Sequence, residues 1–140
     1  MPRVKIESPE SYVHESLLTV RVTDLNYGNH LGNDRVLGYT QEARIQFFKS
    51  HNMSELDFWG TSLIQGDAAI SYRSEGFLND QIKIEIAVND VTNSSFDLVY
   101  RLTNETTNQV LALAKTRMVC FDYDTRKVTA IPQGFKSLFG

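Results

Sequence analysis

The sequence predicts an α+β domain in which one antiparallel sheet of about five strands packs one face against a single long helix. Three observations carry this. Alternation of apolar and polar residues recurs in several separate segments, whereas only one segment has helical spacing. The order along the chain is strand, helix, then four strands. The late strands are joined by short polar stretches, "NDVTNSS" and "NETTNQ", which favour hairpins over crossovers.

The first strand is expected from His14 to Asp24, with Leu18, Val20 and Val22 on one face and Thr19, Arg21 and Thr23 on the other. "DRVLGYTQEARIQFFKS" then places Val36, Thr40, Ala43 and Phe47 on one stripe, flanked by Leu37 and Phe48. Arg35, Glu42, Gln46 and Lys49 occupy the rest, so this reads as a helix of four or more turns. Asn33 or Asp34 is the natural N-cap. "HNMSELDFWG" reads as one short helical turn and a loop, and "SLIQGDAAISYR" as a strand in which Gly66 marks a bulge or a close approach. Ile82, Ile84, Ile86 and Val88 define the next strand, Phe96, Leu98, Tyr100 and Leu102 the one after, and "QVLALAKTRMVCFDYD" the last. The tail carries Pro132, Phe135, Leu138 and Phe139 and is apolar enough to dock.

A chain of 140 residues suits one domain, spanning 1–140, that buries roughly two thirds of its unfolded surface. The net charge of −3 comes without a basic run, which argues against a nucleic-acid partner. No apolar segment is long enough to span a membrane, and "MPRVKIESPE" lacks the apolar run of a secretory signal, so a cytoplasmic protein is expected. Cys120 is the lone cysteine and sits in a strand pattern, where packing is its expected role. No His and Cys cluster has metal-ligand spacing, so no metal is expected. Leu111 and Leu113 beside Val110 and Ala112 put apolar residues on both faces of one strand. One helix covers only part of such a sheet, and a homodimer or homotetramer follows as the expected assembly.

Function concentrates at one joint, "VTDLNYGNHLGND", residues 22–34, where Asp24, His30, two glycines and three asparagines separate the first strand from the helix. This stretch, with "TQEAR" on the helix, "AAISYRSEGFLNDQIKIEIAV", "SSFDLVYRL" and "IPQGF" in that order, resembles the hot-dog thioesterase superfamily. The branch it resembles is that of 4-hydroxybenzoyl-CoA and short or medium-chain acyl-CoA thioesterases. The resemblance implies a curled sheet wrapped around one long helix, dimers with active sites between subunits, and hydrolysis of acyl-CoA or acyl-carrier-protein thioesters without any cofactor. Asn26 stands where many relatives carry a second Asp, and Gly32 replaces a frequent Asn. A non-catalytic hot-dog module that binds an acyl group or a partner is the alternative. A dehydratase is disfavoured because its His and carboxylate motifs are missing.

Hydrolysis of a thioester requires a nucleophile or activated water, donors for the developing oxyanion, and a slot for the acyl group. Asp24 is expected to attack or to activate water, with its basicity raised by partial burial. His30 and Asn33 join it as catalytic candidates, and Glu42 is a weaker candidate base. The amides of Leu31, Gly32 and Asn33 lead into the helix N-terminus and offer an oxyanion site. Gly28 and Gly32 are expected to take positive φ or to approach the ligand closely. Tyr27, Leu31, Gly32, Ser71, Tyr72 and Arg73 are expected to contact substrate, Arg73 through a CoA phosphate. His14 and His51 read as surface residues.

Overall fold

A computed structural model describes residues 4–140. Its elements are β1 (His14–Thr19), a 3₁₀ turn (Val22–Asp24), α1 (Asn33–Ser50), β2 (Ser62–Tyr72), β3 (Gln81–Asn89), β4 (Ser95–Asn104), β5 (Gln109–Asp122), the two-residue β6 (Lys127–Val128) and α2 (Gln133–Phe139). The sheet runs β1-β3-β4-β5-β2 with every pair antiparallel, and β6 adds to the end of β5. The α+β hot-dog arrangement, five strands on one long helix, is thus the observed one.

Alternation places Ile82, Ile84 and Ile86 of β3, Leu98, Tyr100 and Leu102 of β4, and Ala112, Ala114 and Met118 of β5 in the core. Val36, Tyr39, Ala43 and Phe47 of α1 pack in the same cluster. Each large side chain so buried contributes about 1.5–3 kcal/mol. At one end, Phe58, Phe96 and Phe135 form a triad, with ring centroids 5.7 Å apart for Phe58 and Phe96, 4.4 Å for Phe96 and Phe135, and 5.4 Å for Phe58 and Phe135, so the tail docks through Phe135. Leu138 stays exposed. Gly66 sits at a register shift in β2, the expected bulge. Cys120 is fully buried, and burial pushes its thiol up to about 11, which suits packing rather than reactivity.

Four local expectations are corrected. The first strand ends at Thr19, because the Asp24 carboxylate accepts the Arg21 amide N–H at 3.0 Å and closes a 3₁₀ turn; Val22 is 70% exposed as a result. The N-cap is Gly32, with no side-chain cap, and Asn33 is already helical. Residues 51–60 form turns with no helical segment, Asn52 and Trp59 taking φ of 60° and 48°. His14 and His51 are half-buried, each with its ring centroid 5.5 Å from that of Phe47. Burial, and then His51, hold the His14 imidazole below its ordinary range.

Leu111 of β5, at the register shift against β4, belongs to the core cluster. Leu111 packs against the Gly76 segment, close enough that a Cβ on Gly76 would stand 3.6 Å from its Cδ1. Among the described residues, no helix is long and apolar enough to cross a membrane.

Candidate active site

Asp24 closes the 3₁₀ turn and is only 4% exposed. Its Oδ2 accepts three hydrogen bonds, from the Tyr39 hydroxyl at 2.6 Å, the Arg21 amide at 3.0 Å and Arg21 Nε at 3.4 Å. Among the described residues, its Oδ1 has only a 3.5 Å contact with Arg21 Nη2. One oxygen is anchored and the other is nearly free. Burial pushes this carboxyl up, but the hydrogen bonds from Tyr39 and Arg21 outweigh it and leave the group below 3.8. The expected rise in basicity is therefore reversed. Tyr39 shifts the other way: burial, then its bond to the Asp24 carboxylate, raises its pKa and keeps the phenol a donor.

Asp24 lines a pocket of about 400 Å³ between β1 and α1. Arg21, Arg35, Gly38, Tyr39 and Glu42 line it with Asp24. Glu42 accepts a hydrogen bond from Gln46 Nε2 at 2.9 Å. The helix start is tied to the same turn, since the Gly32 amide donates to the Asp24 carbonyl at 3.0 Å.

Residues 26–31 form a tight loop built on Asn26. Its Oδ1 accepts the amides of Gly28 at 2.9 Å and His30 at 3.4 Å. Asn29, at φ 65°, takes the left-handed position, so Gly28 and Gly32 do not need it; Gly32 has φ −68°. Gly28 instead lies close to the His30 ring, with a virtual Cβ 3.3 Å from Nε2. His30 sits edge-on to Phe77 at 6.5 Å, its Nδ1 3.2 Å from the Leu31 carbonyl. The Leu31 amide donates to Gly76 at 2.7 Å. Two of the three expected oxyanion amides, those of Leu31 and Gly32, are thus already bonded within the chain.

The remaining candidates gather elsewhere. Tyr72 donates to the Asn33 carbonyl at 3.1 Å, and Arg73 Nε donates to Ser71 Oγ at 3.0 Å. Ser71, Tyr72 and Arg73 line a separate pocket of about 440 Å³ under residues 4–7. Tyr27 is fully exposed. None of His30, Asn33, Tyr27, Ser71, Tyr72 or Arg73 lines the Asp24 pocket. Tyr39, Arg21 and Arg35 were not singled out as site residues from sequence. The only local signal was the spacing of Arg21 and Asp24 across one turn.

Residues 20–139 match the model of a family described as the thioesterase-like superfamily. The long-chain acyl-CoA thioesterase FadM of Escherichia coli (strain K12) is 26% identical over 126 residues, covering 84% of this chain and 89% of FadM. YbaW, a probable thioesterase from Escherichia coli, superposes with a TM-score of 0.72 at 25% identity, over 89% of this chain and 95% of its own. Slr0204, a 1,4-dihydroxy-2-naphthoyl-CoA thioesterase from Synechocystis, gives 0.80 at 19% identity, over 89% and 93%. SAV2348 from Staphylococcus aureus, solved in complex with CoA, gives 0.79 at 18%, over 94% and 84%. The last two likenesses speak to the fold.

Proposed function

The chain belongs to the thioesterase-like superfamily, and from that premise we propose that it hydrolyses an acyl-CoA thioester to the free acid and coenzyme A, with Asp24 as the nucleophile. The observation that carries the assignment is the half-anchored carboxylate: Oδ2 is held by Tyr39 and Arg21 while Oδ1 is left nearly free in a residue that lines the β1–α1 pocket. The name of FadM and the CoA bound to SAV2348 support an acyl-CoA substrate. An acyl-carrier-protein thioester presents the same reacting atoms.

A carboxylate held below its ordinary range is both a weaker base and a weaker nucleophile, so the assignment of direct attack rests on the nearly free Oδ1. It is also ionised throughout the neutral range. Oδ1 attacks the thioester carbonyl carbon, the C–S bond breaks, and the sulfur leaves as a thiolate that solvent protonates. Water then cleaves the acyl-aspartyl anhydride, returning the carboxylate, releasing the acid and giving solvent one proton, which replaces the one taken up by the thiolate. Arg35, exposed beside Asp24 in the same pocket, is the donor we assign to the developing oxyanion in place of the bonded Leu31 and Gly32 amides. Arg73, beside Ser71, remains the candidate for a CoA phosphate. His30 lies in the loop that leads into α1, and Asn33 is the first residue of that helix. The working assembly is proposed as a homodimer or homotetramer.

The test is thiol release from a panel of acyl-CoAs, followed with a chromogenic reagent, alongside thermal melting. Asp24→Asn keeps the shape of the side chain and removes its charge, so turnover per folded subunit should fall by roughly two or more orders of magnitude. Near-normal turnover in folded Asp24→Asn protein would reject the nucleophile. Absence of thiol release from any acyl-CoA would instead favour the non-catalytic acyl-binding module, for which a fully hydrogen-bonded structural aspartate is the expected state.

A further inference from the structure

β1 pairs with β3 on one side, and among the described residues no strand pairs with it on the other. The register shows which groups this open edge presents. The Val20 amide donates to the Asp80 carbonyl at 2.9 Å, and Leu18, Ser16 and His14 stand opposite Ile82, Ile84 and Ile86. Even-numbered residues therefore occupy the bonded positions of the β1–β3 ladder. Glu15, Leu17 and Thr19 turn their amides and carbonyls outward, where an extended chain can add as a further strand.

Helix α1 makes this edge one wall of a groove. A pocket of about 590 Å³ has His14, Ser16 and Leu18 on its β1 side and Glu42, Gln46 and Lys49 on its helix side. Its walls are mostly polar. Because the neighbouring Asp24 pocket joins Thr19 to Arg35 and Glu42, α1 runs antiparallel to β1, with Glu42 beside the Leu18 end and Lys49 beside the His14 end. Among the described residues neither Glu42 nor Lys49 forms an ion pair within the chain. The two charges are separated by about 10 Å of helix rise, which long side chains four residues apart on one face of a strand, about 13 Å, can match.

We infer that the β1–α1 groove docks an extended segment of a partner protein, added antiparallel to β1, in which a basic residue meets Glu42 and an acidic residue four places later meets Lys49. Antiparallel addition is the more stable pairing and runs the segment from the Leu18 end to the His14 end, which sets the order of the charges. The residue after the basic one falls on the other face of the sheet, where an apolar side chain covers Leu17, 59% exposed. A second copy of this chain fits less well through its own β1, which holds no Lys or Arg to meet Glu42. These contacts lie on β1 and at Glu42 and Lys49, so docking does not depend on the reaction assigned to Asp24.

The probe is a capped, fluorescein-labelled peptide, Thr-Lys-Val-Thr-Thr-Glu-Thr, titrated with the full chain and followed by fluorescence anisotropy. Its control, Thr-Glu-Val-Thr-Thr-Lys-Thr, has the same composition with the two charges exchanged. The probe should bind saturably and the control about tenfold more weakly, with the order inverted in the double variant Glu42→Lys, Lys49→Glu. N-methylation of the probe at its valine and its fifth residue removes the two amides that face β1 and should abolish binding. Leu17→Pro should do the same from the protein side, since it takes an outward amide from an edge strand, where proline is tolerated. Melting by circular dichroism checks that this variant folds, and the methylated probe tests the same bonds on the unaltered protein. No saturable binding, equal affinities for probe and control in the wild type, or full binding of the methylated probe would overturn the inference. Self-association that Leu17→Pro abolishes, with no peptide bound, gives the edge to a second copy and overturns it as well.

Discussion

Asp24 has lost almost all contact with solvent, and yet three donors converging on Oδ2 keep it a stronger acid than a free aspartic acid. The phenol of Tyr39 matters most here because it is short, at 2.6 Å, and cannot itself ionise at neutral pH. Tyr39→Phe keeps the ring in the core and removes one hydrogen bond to a charged group, which costs about 1.5–3 kcal/mol. The pH dependence follows from the direction of the shift. With the folded-state value below 3.8, the carboxylate's contribution is fully present above that value and is lost as pH falls through the folded-state value. The stability gap between wild type and Tyr39→Phe should therefore be widest near neutrality and narrow in acid, as read from urea midpoints at about pH 7 and about pH 3. A gap that stays constant between those conditions would mean that Tyr39 does not act through the ionised carboxylate.

At the scale of elements, α1 is joined to the sheet by a charge as well as by its apolar stripe. Arg44 is 5% exposed, pairs with Glu55, and donates to the Tyr100 hydroxyl at 3.1 Å, which in turn lies 2.7 Å from Thr116 Oγ1. Arg44→Ala leaves Tyr100 with Thr116 as its remaining partner and leaves the partly exposed Glu55 unpaired, and should cost about 1–3 kcal/mol in chemical denaturation, with Arg44→Met losing less because its stem refills the volume. Equal losses in the two variants would assign the whole effect to the guanidinium and its hydrogen bonds, whereas full recovery in Arg44→Met would make the role one of packing alone. A charged residue beside an apolar stripe reads as solvated from sequence, so this tie was not legible there. By contrast β3, β4 and β5 were, since alternation and polar turns are local properties of the chain. The end of β1 was not, because Arg21 and Val22 continue the alternation past the point where Asp24 captures the Arg21 amide. The site divides in the same way. The polar joint drew attention to Asp24, His30 and Asn33 by composition alone. Tyr39, Arg35 and Gly38 meet Asp24 only because one helix face lands beside β1, which no spacing within the joint reports.

For the whole molecule, the decisive feature is that the sheet stays open, with β1 and β2 at its two edges. An unpaired edge presents a row of N–H and C=O groups that invites another strand. The two edges are not alike. β1 has six residues and borders the groove of α1, whereas β2 has eleven and is exposed from Gln65 to Ala68. The charge in the middle of that stretch, Asp67, is satisfied by Lys115 at 3.0 Å and so does little to repel a second strand. Pairing of β2 with β2 of a second copy around a two-fold axis continues the sheet while leaving the β1–α1 groove open. The protein should therefore sediment as a dimer, or a dimer of dimers, at micromolar concentration. Ala68→Lys places like charges close together across the axis and should shift the distribution toward monomer, with little change in the melting of the monomer itself. Sedimentation of the wild type as a stable monomer would remove the pairing. An unaltered dimer in Ala68→Lys would move the interface away from β2.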